Sequence, residues 1–457
     1  MITERTVDRI YELHAALLNA PWSGDLLGLT LATAVSVRLA LAEGTSPVWL
    51  NLVGPSSTGK TSTVELLRGS DLVKPVSRLT PESLASGAVN EKGQRAKSLL
   101  PELHSKCLVM KDMGPFLSDD YKRVRKILGD LTDIFDGYFD KAVGTSWGES
   151  AVLSEQSTFA WLGCVKPDTE RRHSRFMAEL GSRTLAYRIY PERRRALVPP
   201  KTPTNRADII KALRELVHEH IAALADTETN VTVPEDIKAI VWELAVLVSR
   251  GRTPMQSRPW IDASGRRRYE QVLGSTEEPH RAFQQLMNLL RSVAAAHGHS
   301  VPGSRELGLV QRVALSSVIA DRADVLAAMR RAPVVRPITF TVTVDDQGNT
   351  ETLDDELRGL TVQACARALQ CSDDLARLLL DEMARVDLLV KDRQAVKDCE
   401  GRPADFYRPV ARFEPYIFNT LVASGDDGPI DHETVERILR DLEGASKPIR
   451  LVVPIRK

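Results

Sequence analysis

The apolar run Val48-Trp49-Leu50-Asn51-Leu52-Val53 stops at Gly54-Pro55-Ser56-Ser57-Thr58-Gly59-Lys60-Thr61, and the helix-patterned Ser62-Thr63-Val64-Glu65-Leu66-Leu67 begins at once. A continuous apolar run reads as a strand buried on both faces, which belongs in a parallel sheet covered by helices. The loop matches G-x-x-x-x-G-K-[ST] in full, with the strand before it and the helix after it that the motif requires. Its glycines let backbone N–H groups turn inward, and the helix N-terminus adds its dipole, so the segment is suited to hold phosphates. Gly54, Ser57, Thr58, Gly59, Lys60, Thr61 and Ser62 are the expected contacts to ATP or GTP. Lys60 is expected to reach the β- and γ-phosphates and Thr61 to hold Mg²⁺. The plainer alternative is a Gly/Ser-rich turn with no ligand.

Apolar runs and helical segments alternate from this strand to about residue 190, with runs at Cys107–Met110, Phe159–Val165 and Leu185–Ile189. The pattern predicts an α/β P-loop core with a largely parallel sheet. At 457 residues the chain is long enough for about two or three domains. Residues 1–45 are read as an N-terminal helical segment, 46–195 as the nucleotide-binding core and 196–332 as an all-α lid subdomain. Residues 333–457 form the last region. Within it two helices, Val362–Leu369 and Ser372–Val386, meet at a tight turn, and a strand at Leu388–Val390 and a return through Phe406–Val410 follow. These are the parts of a C-terminal winged helix-turn-helix.

Sixty-one basic and sixty-one acidic residues leave no net charge, so no global field advertises a polyanionic partner. Cys107, Cys164, Cys365, Cys371 and Cys399 are odd in number and lack CxxC spacing, which reads as reduced thiols in a cytoplasmic protein. Leu26–Ala42 is the most apolar stretch, but Arg38 interrupts it and it is short for a membrane span. A buried helix is expected there, with no membrane partner.

A phosphate loop needs a carboxylate for the Mg²⁺ shell, usually at the end of a neighbouring strand. Cys107-Leu108-Val109-Met110-Lys111-Asp112 has that form, which makes Asp112 the expected metal acid. The order of segments then resembles AAA+ ATPases of the helicase-type branch, which includes the minichromosome-maintenance helicases. The match covers about residues 25–330: a helix at Ser118–Phe135, an inserted hairpin at Lys141–Ser154, a strand ending at Lys166-Pro167, and Gly181-Ser182-Arg183. The resemblance implies that Arg183 is an arginine finger acting on a neighbour's nucleotide, with Arg175 as a competitor, and that Arg281 is a lid arginine closing on it. It also implies a ring, a hexamer, with ATP between subunits. A similar cadence links Leu79–Gly87, Ser98–Pro101, Val109–Asp112 and Asp136–Lys141 to ATPases of phages and integrative elements.

Two departures bear on hydrolysis. Met113 stands where the family has its catalytic Glu, and Lys166 where it has a sensor Asn. Glu102, Asp119 and Asp120 are the substitutes to consider for the base. The resemblance makes DNA the expected substrate, with Lys141 and Trp147 of the hairpin as contacts and Lys122, Arg123, Arg125 and Lys126 as a basic cluster upstream. On the wing, Lys391, Arg393 and Lys397 could touch phosphates, whereas Asp373, Asp374 and Asp381 make the second helix acidic for a major groove. A winged helix used for docking a protein partner fits equally. His218, His220, His297 and His299 are read as surface residues with no metal role. The alternatives are a DNA-acting ATPase of replication or mobile elements, and an ATP-driven assembly switch: a loader, regulator or defence component.

Overall fold

All five residues of β1 (Trp49–Val53) are buried, as are those of two further strands, Cys107–Met110 and Ala160–Val165. Such strands have no solvent face and must be covered on both sides. They form the centre of a five-stranded sheet. With β2 (Val73–Pro75), β3 (Cys107–Met110), β6 (Ala160–Val165) and β7 (Leu185–Arg188), the order is β2-β3-β6-β1-β7 and every pairing is parallel. Two strands, β4 (Asp140–Gly144) and β5 (Ser150–Ser154), pair antiparallel as a separate hairpin. This computed structural model describes residues 4–84, 98–137, 139–144, 150–154, 157–173, 183–191, 206–226, 231–261, 264, 266–332, 340–343, 350–353, 358–397 and 403–418.

One face of the sheet is packed with aromatic rings. Trp49 lies edge-on to Phe135 and stacks on Phe159, with Trp161 beside it. Buried indoles need acceptors: Trp49 Nε1 donates to Phe159 O at 2.8 Å and Trp161 Nε1 to Asn51 Oδ1 at 3.1 Å. The amphipathic helix Tyr121–Phe135 covers this face with Val124, Ile127, Leu128, Leu131 and Ile134. Asp120 caps it, accepting from the Lys122 and Arg123 N–H groups. Lys122, Arg123, Arg125 and Lys126 face outward.

α1 (Glu4–Leu18) and α2 (Ser23–Glu43) precede the sheet. α2 is apolar around its circumference, which marks a buried helix. Among the described residues it is the one helix long and apolar enough to cross a membrane, and most of it is buried within the protein, against β6 and the helix His280–His297. Gly44 ends it in the left-handed conformation at φ 64°.

The chain divides into two compact units, Met1–Val241 with His280–Ser316, and Trp242–Pro279 with Ser317–Lys457. The first holds the sheet, α1, α2 and the helices His280–His297 and Ser304–Ser316. Histidines here correct the sequence reading. His220 and His297 are buried, and His218 Nε2 donates to Leu66 O at 3.0 Å. Glu306, fully buried, accepts through Oε1 from His297 Nδ1 at 2.5 Å and His299 Nδ1 at 3.1 Å, and through Oε2 from the Gly303 N–H. The Tyr11 hydroxyl donates to His297 Nε2 at 2.7 Å. Burial opposes the charge on Glu306, but the histidine hydrogen bonds outweigh it and hold its carboxyl far below the usual range. Nitrogen and oxygen stand at metal-ligand spacing, yet each is already satisfied by its neighbours.

The second unit contains a departure from the expected all-helical stretch. β8 (Met255–Ile261) and β9 (Arg267–Leu273) form an antiparallel ribbon between helices. Pro259 is tolerated because both strands are edges. Further on, β10 (Phe340–Thr343) and β11 (Thr350–Leu353) pair with each other. β12 (Leu360–Thr361), the helix Val362–Leu369, a left-handed turn at Gln370 and the helix Asp373–Arg385 lead into β13 (Leu389–Lys397) and β14 (Pro403–Pro409), in the sheet order β12-β14-β13. Thr361 and Ser372 cap the two helices by accepting from Ala364 N and Leu375 N. Cys365, Leu380, Met383, Phe406 and Tyr407 are buried in this unit.

Candidate functional site

Parallel pairing puts the carboxyl ends of β1, β3 and β6 on one edge of the sheet. Their next residues, Gly54, Lys111 and Lys166, must therefore converge. They do so where the chain leaves β1 in one direction and returns to β7 on its other side, the usual position for a ligand in an open α/β sheet. A cavity of about 200 Å³ opens there, lined by residues 56–62 of the loop with Lys111, Asp112, Cys164, Val165 and Lys166.

The loop takes its shape from two left-handed residues, Ser57 at φ 65° and Gly59 at φ 89°. Gly59 is required twice over: a Cβ there would fall 2.6 Å from Leu18 Cδ2. α3 (Lys60–Val64) begins at the next residue and leaves its first N–H groups without intrahelical acceptors. Lys60 is buried, and its ammonium donates to Gly54 O at 2.6 Å, Pro55 O at 2.7 Å and Thr58 Oγ1 at 3.2 Å. Burial lowers its pKa; the charge of Lys166 adds to the shift and that of Asp112 opposes it.

Asp112 is exposed on the cavity wall, with Oδ1 accepting the Gly114 N–H at 2.9 Å. Thr61 Oγ1 donates to Lys111 O at 3.5 Å, so hydroxyl and carboxylate border the same space. A hard divalent cation takes such oxygen ligands. Lys166 follows β6 and adds a second ammonium to the wall.

Met113 points elsewhere. It is fully buried in the aromatic core, its N–H donates to Cys164 O at 2.8 Å, and a Cβ on Gly163 would meet its sulfur at 2.5 Å. The position after Asp112 is thus a core position. None of the substitute acids lines the cavity: Glu102 pairs with Lys74, Asp119 with Arg78, and Asp120 caps its helix. Among the described residues lining it, Asp112 is the one carboxylate.

The other expected residues are not among those that line the cavity. Arg183 pairs with Asp136 at 2.5 Å, with its Nε buried and without an acceptor. Arg281 sits on the first turn of His280–His297 and does not line the cavity. Lys141 lies in β4, opposite Leu153. Lys391 is held between Asp381 and Asp405, each at 3.2 Å, and against the Tyr407 ring. Arg393 belongs to β13. Trp147 and Arg175 fall outside the described residues.

Support comes from residues that carry no motif. Trp22 Nε1 donates to Thr58 O at 2.8 Å, and His14 Nε2 lies 2.9 Å from Thr63 Oγ1, which itself donates to Gly59 O. The hydroxyl's own donation sets the Nε2–H tautomer of His14. Burial drives the His14 pKa down to about 4, so it is neutral here. Together with Leu18, these side chains hold the loop from the α1–α2 side. Cys164 floors the cavity, its thiol pushed up to about 12 by burial. No protein-family model matches the chain and no curated protein matches it.

Proposed function

We propose that this chain is a P-loop ATPase of the AAA+ kind, resembling the helicase-type branch, that binds ATP with Mg²⁺, assembles as a hexameric ring and acts on DNA. One observation carries the reading: Lys60, Thr61, Asp112 and Lys166 border a single cavity at the carboxyl edge of a parallel sheet. The residues fit the cofactor. Lys60 is a buried ammonium held only by loop oxygens, which phosphate oxygens can replace with a gain in charge pairing. Thr61 and Asp112 would hold Mg²⁺, and Lys166 would add positive charge beside the phosphates. Bound MgATP supplies a phosphoryl group whose transfer to water releases the free energy used. Acting on a neighbour's site, Arg183 would exchange Asp136 for phosphate. The segment 360–409 would serve as the winged helix. Buried free Cys107, Cys164 and Cys365, with α2 inside the protein, support a cytoplasmic setting.

A second reading has its own support. With Met113 in the core, the described residues lining the cavity offer no carboxylate besides Asp112 to act as a general base. An ATP-driven assembly switch, in which binding rather than turnover does the work, fits this wall. Such a switch would recruit a protein partner through the acidic helix Asp373–Arg385. ATP turnover with and without single- and double-stranded DNA, beside mass by light scattering with a non-hydrolysable analogue, separates the two. DNA-stimulated turnover that disappears in Lys60→Ala supports the motor. Assembly with negligible turnover supports the switch, and a chain that stays monomeric under every condition rejects the ring.

A further inference from the structure

The ribbon β8–β9 has no part in the ATP site. Its strands pair from Met255↔Leu273 to Ile261↔Arg267 and form a sheet of their own. A two-stranded ribbon is marginal in water unless something else pays for its order, and here its surface is unlike an inert turn. Arg258, Pro259, Ile261, Arg266, Arg267 and Glu270 are exposed, and Ile261, at 71 %, is the most exposed large apolar residue described. From the end of β8 into the start of β9 the chain reads Arg-Pro-Trp-Ile-Asp-Ala-Ser-Gly-Arg-Arg-Arg-Tyr over 258–269. Four arginines stand against Asp262 and Glu270, a positive excess in a chain whose total charge is zero. The register sets Trp260 opposite Arg268 and Pro259 opposite Tyr269.

Arginines interleaved with aromatics match one ligand class best. Guanidinium groups neutralise phosphodiesters, and Trp, Tyr and Arg planes stack on bases that are not already stacked in a duplex. We infer that β8–β9 is a binding arm for single-stranded nucleic acid that uses both faces of the ribbon, with Trp260 as the stacking position beside Arg266 and Arg268 on one face and Tyr269 beside Arg267 on the other, the three arginines being the phosphate contacts. The inference deepens the reading that the chain acts on DNA and rests on it. An acidic protein surface would answer to the arginines alone, without need of the aromatics.

The test measures anisotropy of labelled oligothymidylate and oligouridylate with the full chain, as wild type, Trp260→Ala, Trp260→Phe and a triple Arg→Ala variant at 266, 267 and 268. Trp260→Ala should weaken binding about tenfold or more while Trp260→Phe keeps most of it. The triple variant should reduce the slope of log affinity against log salt by about 2. Far-UV circular dichroism and melting confirm that each variant folds, and Trp260→Phe with Arg→Lys versions serve where an Ala version does not. Wild-type binding that every variant retains overturns the arm and leaves the DNA reading standing. Loss in the arginine variant alone, shared equally by heparin, reduces the ribbon to a general polyanion surface and also overturns it. No binding of either oligonucleotide by the wild type overturns the arm and the DNA reading together.

Discussion

Supplying the family's missing glutamate, Met113→Glu, should damage the protein rather than restore hydrolysis. Met113 is fully buried among Phe116, Leu117, Trp161 and other apolar side chains. Losing its burial costs about 1.5–3 kcal/mol. A carboxyl in its place, neutral and without partners, costs about 1–3 kcal/mol more. The sum, about 2.5–6 kcal/mol, is a large part of the roughly 5–15 kcal/mol that holds a domain folded. At about 2–4 °C per kcal/mol the melting temperature should fall by about 5–24 °C. Met113→Leu, which keeps the volume, should cost under about 1.5 kcal/mol. Thermal melts by circular dichroism, with ATP turnover measured well below the lowest melting point, read both effects. A Met113→Glu protein that melts like the wild type and hydrolyses ATP faster would refute the burial argument, because position 113 would then face the cavity.

Three further outcomes are expected. For His14 the folded pKa, about 4, lies below the unfolded value of about 6.5, so protons bind the unfolded chain first and stability falls as pH drops through that interval, by up to about 3 kcal/mol. Denaturant titrations at several pH values should show a shallower fall in His14→Gln, and an unchanged slope would remove His14 from the account. Glu306→Gln should cost about 2–3 kcal/mol at neutral pH. Because the folded pKa of Glu306 is depressed, that stability is present above the usual carboxylate range and lost below it. Wild type and variant should therefore converge in acid. Trp22→Phe removes the N–H that holds Thr58 O without touching the cavity wall, and should weaken nucleotide binding several-fold, about 1 kcal/mol, by titration calorimetry; unaltered affinity would show that the contact is idle.

The strand, loop and helix around Lys60 are legible in sequence because each is a local event: an apolar run, two glycines and a helix start within twenty residues of one another. Asp112 and Lys166 are legible for a related reason, since each follows a buried strand and parallel strands end on one edge. What α1 and α2 do is not legible. His14, Leu18 and Trp22 meet the loop only through tertiary packing, and nothing in their spacing names the loop as their partner. Met113 misleads for the same reason: substitution at a motif position reads as lost chemistry until the side chain is seen to face the core. His297 reads as a surface residue because its acceptor, Glu306, and its donor, Tyr11, lie on other helices. The β8–β9 ribbon is hidden by its composition, because arginines and a proline mask the period of two that would announce a strand.

Binding of MgATP in the cavity beside Lys60 underlies every role assigned above, and calorimetric titration of the full chain with ATP measures it. One site per chain is expected, tighter with Mg²⁺ than without, abolished in Lys60→Ala and stripped of its Mg²⁺ dependence in Asp112→Ala. A wild-type chain that binds no nucleotide, or a folded Lys60→Ala chain that binds as the wild type does, would contradict it.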